Sequence, residues 1–361
     1  SQKIHFHGYP SKEYDVMTED GYILSLNRIP HGREDARHSG SRTPVLLVHG
    51  FCQDGGVWVD NFPDNSLGFI LADAGYDVWI GNNRGNSWSR RHRNLSIASE
   101  EFWDFSFQEM AVYDLPAMMG FILMQTEQEK LFYVGHAQGS SLGFIAFSSF
   151  PHLAEKIKLF FALAPFYTLR HVHGPELSLL FQPDLLLKAE FGTRELALVK
   201  RKEKLHRVEW CSSNLLAAEL CANNIFLLGG NDRKNLNLSR IDVYLSHFPD
   251  YTSVKNLLHW GQTAKTEEFK QFDYGLRNMA KYKRGTPPTY HIEAMRVPVA
   301  LWSGGHDWVA PPRETSNLMD HLTSIVHHEH FPDWNHYDHL WGLNAPQRLY
   351  RQMVTLMEEN P

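Results

Sequence analysis

Short apolar runs, rich in β-branched and aromatic residues and bounded by turn-forming residues, recur along the chain. Runs of this kind are typical of strands that are buried on both faces of a parallel sheet. We predict strands at Val45 to Val48, Tyr76 to Ile80, Leu131 to Val134, Leu159 to Leu163 and Val297 to Trp302.

Helical patterns lie between these predicted strands. The capping box Ser106-Phe107-Gln108-Glu109 opens one helix, and Asp114, with Pro116 in the first turn, opens the next. Both are signatures of a helix start. The alternation of strand and helix predicts a doubly wound α/β fold with a mostly parallel central sheet.

The alternation stops after Ala164-Pro165 and returns near Pro287-Pro288. The stretch between these points is leucine-rich and helical in pattern, without convincing strands. We therefore interpret residues 167–286 as an inserted helical cap and lid, and residues 1–166 with 287–361 as the core.

The predicted cap holds more large apolar residues than one helix face needs. Packing inside the cap is the simpler interpretation, and a lid that faces lipid is the alternative. The run Lys200 to Lys204 is interpreted as a solvated helix face rather than a membrane anchor. The apolar residues are Leu177, Leu179, Leu180, Phe181, Leu185, Leu186 and Leu187.

Composition narrows the class of protein. A chain of 361 residues with 43% apolar and 21% charged residues is ordinary for a globular protein. The formal charge of -6 is spread over both signs without long blocks, which argues against nucleic acid as the main partner. No apolar run reaches the roughly 18 residues of a membrane span. Small-molecule or lipid chemistry stays open, and the oligomeric state is left undetermined.

Three features bear on the cellular compartment. The chain opens with a polar segment, so any secretory signal has been removed or was never present. Sequons at Asn94 and Asn237 are potential glycosylation sites. Cys211 and Cys221 are close enough in sequence to close a small disulfide loop, which leaves Cys52 unpaired. This combination favours a secreted protein.

The segment Gly135-His136-Ala137-Gln138-Gly139 carries the strongest chemical signal. It has the frame of a nucleophile elbow, G-x-S-x-G, in which the glycines let strand and helix approach closely and the central side chain is pushed into the cleft. The central residue here is Ala137, whose methyl group cannot attack an ester carbonyl. The expected catalytic position is therefore inactive.

Two neighbouring residues are candidates to replace the missing nucleophile. Ser140 lies about one helical turn further on and is expected to point into the packing or along the helix. Cys52 is more nucleophilic, but a small buried thiol is the commoner meaning of a lone cysteine. We expect neither to act as the nucleophile.

An acid and a base follow the elbow in the order nucleophile, acid, histidine. Asp307 follows the predicted strand Val297 to Trp302 directly, where a carboxylate can orient an imidazole and stabilise its charged form. A turn-forming aspartate after two glycines is the alternative. His336, in a loop ahead of the final helix, is the predicted base.

Other polar residues near His336 have simpler interpretations. Asp338 is expected as the N-cap of the following helix, with His339 in its first turn. A group of nearby histidines suggests a metal, but strand alternation sends His327 and His328 to opposite faces, so we predict no metal site and no cofactor. The group is His327, His328, His330, His336 and His339.

An oxyanion hole takes one backbone N–H from the residue after the nucleophile and another from the loop after an early strand. The first is Gln138. The second is Phe51, in the segment His49-Gly50-Phe51 that follows the strand Val45 to Val48. With the elbow, Asp307 and His336, these donors form a consistent set.

Along almost its whole length the sequence resembles the mammalian acid lipases, the gastric and lysosomal group. The resemblance implies an α/β-hydrolase fold that hydrolyses triacylglycerol or sterol esters by Ser-His-Asp chemistry, beneath a helical cap and lid. It also implies secretion or lysosomal delivery, N-glycosylation and a lipid or fatty-acyl ester as ligand, with transient contact at a lipid interface. The matching segments are Glu19 to Leu24, Leu71 to Trp79, Glu109 to Ala111, Tyr113 to Ala117 and Ser303 to Asp307.

Two departures from the family pattern lie at the expected site. The family pattern Gly-His-Ser-Gln-Gly-Thr is replaced by Gly135-His136-Ala137-Gln138-Gly139-Ser140, and His-Gly-Leu-Leu by His49-Gly50-Phe51-Cys52. One hypothesis is a natural pseudolipase that keeps a lipid-binding cleft. The changes at positions other than the nucleophile favour this hypothesis. The others are an active lipase whose serine was replaced by experiment, and a non-lipid interaction protein on a hydrolase fold.

Overall fold

The structure, a computed structural model, describes residues 1–34 and 40–361. Its strands account for most of the core. They are β1 Lys12–Met17, β2 Tyr22–Ile29, β3 Pro44–Val48, β4 Asp77–Gly81, β5 Arg91–His92, β6 Leu131–His136, β7 Ile157–Leu163, β8 Glu195–Leu196, β9 Thr252–Ser253, β10 Val299–Gly304 and β11 Ile325–Phe331.

One large sheet has the strand order β1-β2-β4-β3-β6-β7-β10-β11, with β5 paired to β2. From β4 to β11 every neighbouring pair is parallel, whereas β1 and β2 join antiparallel at one edge. The mostly parallel central sheet is confirmed. The five predicted strands correspond to β3, β4, β6, β7 and β10, and no predicted end differs from the observed end by more than two residues.

Helices cover both faces of the sheet. Strand β3 illustrates this, because Leu46 and Val48 pack into one hydrophobic cluster and Val45 and Leu47 into another. The helices are α1 Gln2–Phe6, α2 Leu67–Asp73, α3 Phe107–Glu109, α4 Leu115–Thr126, α5 Gln138–Ser149, α6 Pro151–Ala154, α7 Asp184–Phe191, α8 Arg201–Cys211, α9 Leu215–Gly229, α10 Ile241–His247, α11 Val254–Thr266, α12 Asn278–Tyr282, α13 Pro312–Asp320, α14 Asp338–Trp341 and α15 Arg351–Glu359.

The two predicted helix starts have different outcomes. The capping box is present, since Ser106 Oγ accepts from the Gln108 N–H and the Glu109 carboxylate accepts from the Ser106 N–H. Helix α4 begins after Asp114 with Pro116 in its first turn, as predicted, but Asp114 does not cap it, because a π-helical turn joins α3 to α4 without a break. The Asp114 carboxylate instead accepts hydrogen bonds from the backbone and side chain of Arg84.

The segment between β7 and β10 holds α7 to α12. It also holds the antiparallel pair β8 and β9, so the expectation that it lacks strands is wrong. Each of these strands has only two residues, too few to leave an alternation in the sequence. Among the residues that the structure describes, no helix combines the length and the apolar character needed to cross a membrane.

In the leucine-rich part of this segment, some residues are buried, as packing inside a cap predicts, and others are exposed, as a lid that faces lipid predicts. Leu180 and Leu187 are buried, as packing inside a cap requires, whereas Leu185 and Leu186 on α7 are exposed. In the lysine-rich run the first four residues are exposed, but Lys204 is buried with its Nζ 4.3 Å from the ring centre of Tyr251.

Candidate active site

The elbow lies between the end of β6 and the start of α5, with Ala137 at a φ of +52°. A Cβ on Gly135 would lie 2.4 Å from the backbone of Gly139, and a Cβ on Gly139 would lie 2.2 Å from the carbonyl oxygen of Val48. Both positions therefore require glycine. The positive φ of a non-glycine residue is a strained conformation that aims the central side chain away from the helix.

Ser140 is held away from the reacting position. Its Oγ donates to the carbonyl oxygen of Ala137 at 2.5 Å, and the residue is fully buried. The Tyr133 hydroxyl donates to the carbonyl oxygen of Gly139 and fixes the same turn. The structure thus places the Ser140 hydroxyl against the helix backbone.

Asp307 and His336 form a buried pair. The Nδ1–H of His336 donates to Asp307 Oδ2 at 2.8 Å, while the N–H groups of Val309 and Ala310 donate to Asp307 Oδ1. These two amides fix the carboxylate, which fixes the imidazole in turn. His336 Nε2 has no hydrogen-bond partner in the described ranges, and the ring lines a cavity next to Ala137.

One further histidine, His136, supports the His336 loop. His136 Nε2–H donates to the carbonyl oxygen of His336 at 2.9 Å, and Gln53 donates to His136 Nδ1 at 3.4 Å. Burial lowers the pKa of His136, and burial lowers the pKa of His339 to about 4, so both rings are neutral. Sequence reasoning assigned His136 only to the elbow and missed its contact with the His336 loop.

The expected cap of the helix after His336 is wrong. Helix α14 begins at Asp338, and the N–H groups of Tyr337 and Asp338 both donate to Asn335 Oδ1. The Asp338 carboxylate accepts from the Asn335 N–H at 2.6 Å. Asn335 is therefore the capping residue, and Asp338 is its reciprocal partner.

The loop after β3 lies against the elbow. His49 Nδ1–H donates to the Gly50 carbonyl oxygen, and His49 Nε2 accepts from the Asn83 N–H, so this buried ring holds the loop in place. Burial also lowers the pKa of His49 and keeps the ring neutral. The Gly50 N–H donates to Gln53, and a Cβ on Gly50 would lie 3.3 Å from the Cβ of Ala137.

The cavity next to Ala137 has a volume of about 110 Å³. At its polar end, Phe51 and Gln138 line the wall with His336, and the backbone N–H groups of Phe51 and Gln138 donate to no other described residue. The Gln138 side chain points elsewhere, since its Oε1 accepts from Asn256 and Trp260. The apolar walls include Phe166, Leu169, Leu177, Leu179, Leu180, Leu257 and Val309.

The cysteines pair as expected. Cys211 at the end of α8 and Cys221 on α9 form a disulfide, while Cys52 is free and buried in the cavity wall. Burial raises the pKa of the Cys52 thiol, which disfavours the nucleophilic thiolate. Of the two sequons, Asn94 is exposed and Asn237 is half-buried.

The histidine group near β11 is dispersed. His327 contacts Gln352, and His328 contacts Ser303 on the other face of the strand. Within residues 1–34 and 40–361, no group of three or more histidine, cysteine, aspartate or glutamate side chains is arranged to hold a metal ion.

Comparison with known proteins gives the class of the chain. Residues 43–343 match the family described as alpha/beta hydrolase fold, and residues 1–62 match the partial alpha/beta-hydrolase lipase region. Among solved structures, an alpha/beta hydrolase fold protein from Nakamurella multipartita superposes with a TM-score of 0.57 at 11% identity, covering 97% of this chain and 100% of that one. This likeness concerns the fold alone.

Two relatives narrow the class further. The chain is 49% identical to the lysosomal acid lipase/cholesteryl ester hydrolase of Homo sapiens over 361 residues, which is 99% of this chain and 90% of the relative. It is 47% identical to the gastric triacylglycerol lipase of Mus musculus over 362 residues, 100% of this chain and 91% of the relative. The chain therefore belongs to the α/β-hydrolases and, within them, to the acid lipase family.

Proposed function

We propose that this protein binds long-chain acyl lipids in the cavity beside Ala137 and does not hydrolyse them. The observation that carries the proposal is the alanine at the centre of an otherwise complete elbow, next to the hydrogen-bonded pair Asp307 and His336. In this proposal Asp307 orients the ring of His336, and the N–H groups of Phe51 and Gln138 form the oxyanion hole.

The elbow frame contributes position rather than chemistry. Gly135 and Gly139 allow the tight approach of strand and helix, and His136 holds the His336 loop. The ligand class follows from the apolar cavity walls and from the relatives, whose names include triacylglycerol lipase and cholesteryl ester hydrolase.

We assign residues 167–286 to a cap whose leucine-rich part acts as a lid. Leu177, Leu179 and Leu180 form one cavity wall, and a cavity of about 110 Å³ is smaller than the roughly 300–1,000 Å³ of common ligand sites. A long acyl chain therefore enters when this wall moves. The exposed Leu185 and Leu186 on adjacent α7 suit transient contact with a lipid interface.

Secretion is the proposed localisation, with lysosomal delivery as the alternative. The Cys211–Cys221 disulfide, the gastric and lysosomal names of the relatives and two sequons support it. Asn94 and Asn237 are the proposed glycosylation sites. Endoglycosidase treatment of protein from its natural source should reduce the mass, and unmodified protein would count against this localisation.

The binding proposal is tested by thermal unfolding with a non-hydrolysable hexadecyl ether of glycerol. A ligand at a hundred times its Kd stabilises the folded state by about 2.7 kcal/mol, so the Tm should rise. Leu179→Asp, in the cavity wall, should abolish the shift, whereas the matched variant Leu276→Asp, at a fully exposed position, should retain it. No shift at saturating ligand would favour a non-lipid interaction protein instead.

A second candidate is an active ester hydrolase in which serine at position 137 has been replaced. One observation favours it: the hydrogen-bonded pair of Asp307 and His336 is intact and buried. An ester hydrolase needs this pair as its general base, whereas a protein that only binds lipid does not. The two candidates differ in how fully hydrolysis returns when the hydroxyl is restored.

A further inference from the structure

The polar end of the cavity holds unpaired hydrogen-bond donors. The backbone N–H groups of Phe51 and Gln138 have no acceptor among the described residues, and both residues line the cavity. His336 lines the same end, is only 3% exposed, and has no partner at Nε2 within the described ranges. Buried N–H groups without acceptors are costly, and the two amides therefore suit a ligand that brings an acceptor, while Nε2 of His336 can take up a proton from an acidic ligand.

The side-chain oxygen acceptors nearby are already occupied. Gln138 Oε1 accepts from Asn256 and Trp260, and Gln53 Oε1 accepts from the Gly50 N–H. Asp307 accepts from His336 and from two backbone amides. What the cavity presents to a ligand head group is consequently donors, at the N-terminus of the 12-residue helix α5, where the helix dipole favours an anion.

Ala137 changes what this end can bind. In a serine hydrolase the hydroxyl at the elbow hydrogen-bonds to the Nε2 of the base, and the substrate uses the oxyanion hole. A methyl group offers His336 no such partner, so Nε2 is left for the ligand. When a fatty acid binds, its carboxyl proton moves to Nε2, and Asp307 at 2.8 Å balances the charge of the resulting imidazolium ring.

We propose that the ligand of this site is a free long-chain fatty acid, bound as its carboxylate. One carboxylate oxygen accepts from the N–H groups of Phe51 and Gln138, and the other accepts from His336 Nε2–H. This inference rests on the proposed acyl-lipid function and names its ligand. An ester carries no charge and brings no proton for Nε2, so it gains only the hydrogen bonds from the N–H groups of Phe51 and Gln138.

The negative groups near the cavity do not cancel this preference. Glu176 contributes to the wall but is exposed to solvent, where its charge is screened. Cys52 and Tyr337 also line the wall, and burial raises the pKa of both, so they are neutral. Asp307 is already paired with His336. The apolar walls then hold the alkyl chain.

The test compares three ligands that differ only in the head group: palmitic acid, methyl palmitate and hexadecanol. Kd values are measured near neutral pH and below the critical micelle concentrations, by displacement of a fluorescent acyl probe. We expect palmitate to bind at least tenfold more tightly than the ester or the alcohol. His336→Ala should weaken palmitate about tenfold and change the other two less than twofold, because charge-assisted hydrogen bonds are lost only for the acid.

Two controls separate head-group recognition from folding. His328→Ala removes an exposed histidine outside the cavity wall and should leave all three Kd values unchanged. In a second measurement at saturating protein, the carboxyl resonance of [1-13C]palmitate should shift on binding to the parent chain and should shift less on binding to His336→Asn, which keeps only the amide donors. This measurement needs only that the variant stays folded, which near-ultraviolet circular dichroism checks.

The outcomes distinguish the two proposals. Equal affinity for acid, ester and alcohol, unchanged by His336→Ala, would overturn the carboxylate inference and leave acyl-lipid binding in place. Absence of binding by all three ligands would remove both proposals. Tighter binding of palmitate that survives both His336 substitutions would overturn the assigned role of His336 and with it the inference.

Discussion

The Ser140 hydroxyl donates a hydrogen bond of 2.5 Å to the carbonyl oxygen of Ala137, the residue at the centre of the elbow. This bond ties the serine nearest to the elbow to the first turn of α5, one helical turn from the reacting position. Cys52, the other candidate nucleophile, is buried with a raised pKa. Neither residue is placed to replace a serine at position 137.

The first prediction is that hydrolysis is absent in this chain and returns in Ala137→Ser. Loss of a triad nucleophile lowers kcat by about a million-fold in well-studied serine hydrolases. The restored hydroxyl would lie beside His336, whose Nε2 has no other partner in the described chain. Release of p-nitrophenol from short and long acyl esters should therefore rise from background by several orders of magnitude.

Two further variants serve as controls for that experiment. Ala137→Ser with His336→Ala should lose the restored activity, because the general base is gone. Ser140→Ala should leave it within a few-fold, because the Ser140 hydroxyl only contacts the helix backbone. Strong recovery favours a recently or experimentally replaced serine, and weak recovery favours a drifted pseudolipase. Esterase activity of the parent chain that survives His336→Ala would contradict the site assignment.

The second prediction concerns strain at the elbow. Ala137 has a φ of +52° and a ψ of -115°, which costs an L-residue on the order of 1–3 kcal/mol and costs glycine little. Ala137→Gly should therefore raise the free energy of unfolding, by up to about 1 kcal/mol once the added flexibility of the unfolded chain is counted. Chemical denaturation measures the change. The matched variant Ala146→Gly, inside α5, should lower it by about 1 kcal/mol or more; equal destabilisation by both variants would exclude the strain.

The sequence predicted the parts of the fold that carry a dense apolar signal. Strands β3, β4, β6, β7 and β10 are buried on both faces and leave continuous apolar runs. Strand β11 was not predicted because it is a half-exposed edge strand rich in histidine. Strands β1 and β2 were not predicted because β1 is largely polar and β2 lacks a continuous apolar run, its buried residues lying mostly at alternate positions.

The sequence predicted those residues of the candidate site that lie in recognisable motifs. Asp307 and His336 were selected from strand ends and chain order, and the structure brings them within hydrogen-bond distance. The contact between His136 and the His336 loop, and the capping by Asn335, were missed. Both join groups whose geometry depends on the packed loop, which leaves no periodic signal in the sequence.

The third prediction concerns the cysteines. The Cys211–Cys221 disulfide closes a loop over a sequence separation of 10 residues, which should contribute about 3 kcal/mol by restricting the unfolded chain. Cys211→Ser with Cys221→Ser should lower the denaturation midpoint accordingly. The buried Cys52 should react with a thiol reagent only after unfolding, so the native chain should titrate no thiol. Rapid labelling of one thiol in the native parent would contradict the burial of Cys52.

A buried ionic cluster joins α1, the loop after β3 and α10. His247 lies between two carboxylates, with Nδ1 2.7 Å from Asp54 and Nε2 2.7 Å from Asp60, and Lys3 also pairs with Asp60. Although burial opposes the charged ring, the two carboxylates raise the pKa of His247 to about 9. The imidazolium ring lowers the pKa of Asp54 and of Asp60 in turn, against their burial.

The last prediction follows from the sign of these shifts. Because the pKa of His247 is raised from 6.5 in the unfolded chain to about 9 in the fold, its stabilisation is fully present below pH 6.5 and is lost as the pH rises through 9. Because the pKa values of Asp54 and Asp60 are lowered in the fold, the stabilisation that these carboxylates provide is fully present above about pH 4, the unfolded pKa of aspartate. It is lost as the pH falls further. His247→Gln should therefore destabilise the chain by at most about 3 kcal/mol near pH 6, and by much less near pH 9.5. Urea denaturation of parent and variant from pH 5.5 to 9.5 measures the difference, and the exposed His291→Gln should show a small difference at every pH. A difference for His247→Gln that stays constant across this range would mean that the ring is neutral between the two carboxylates.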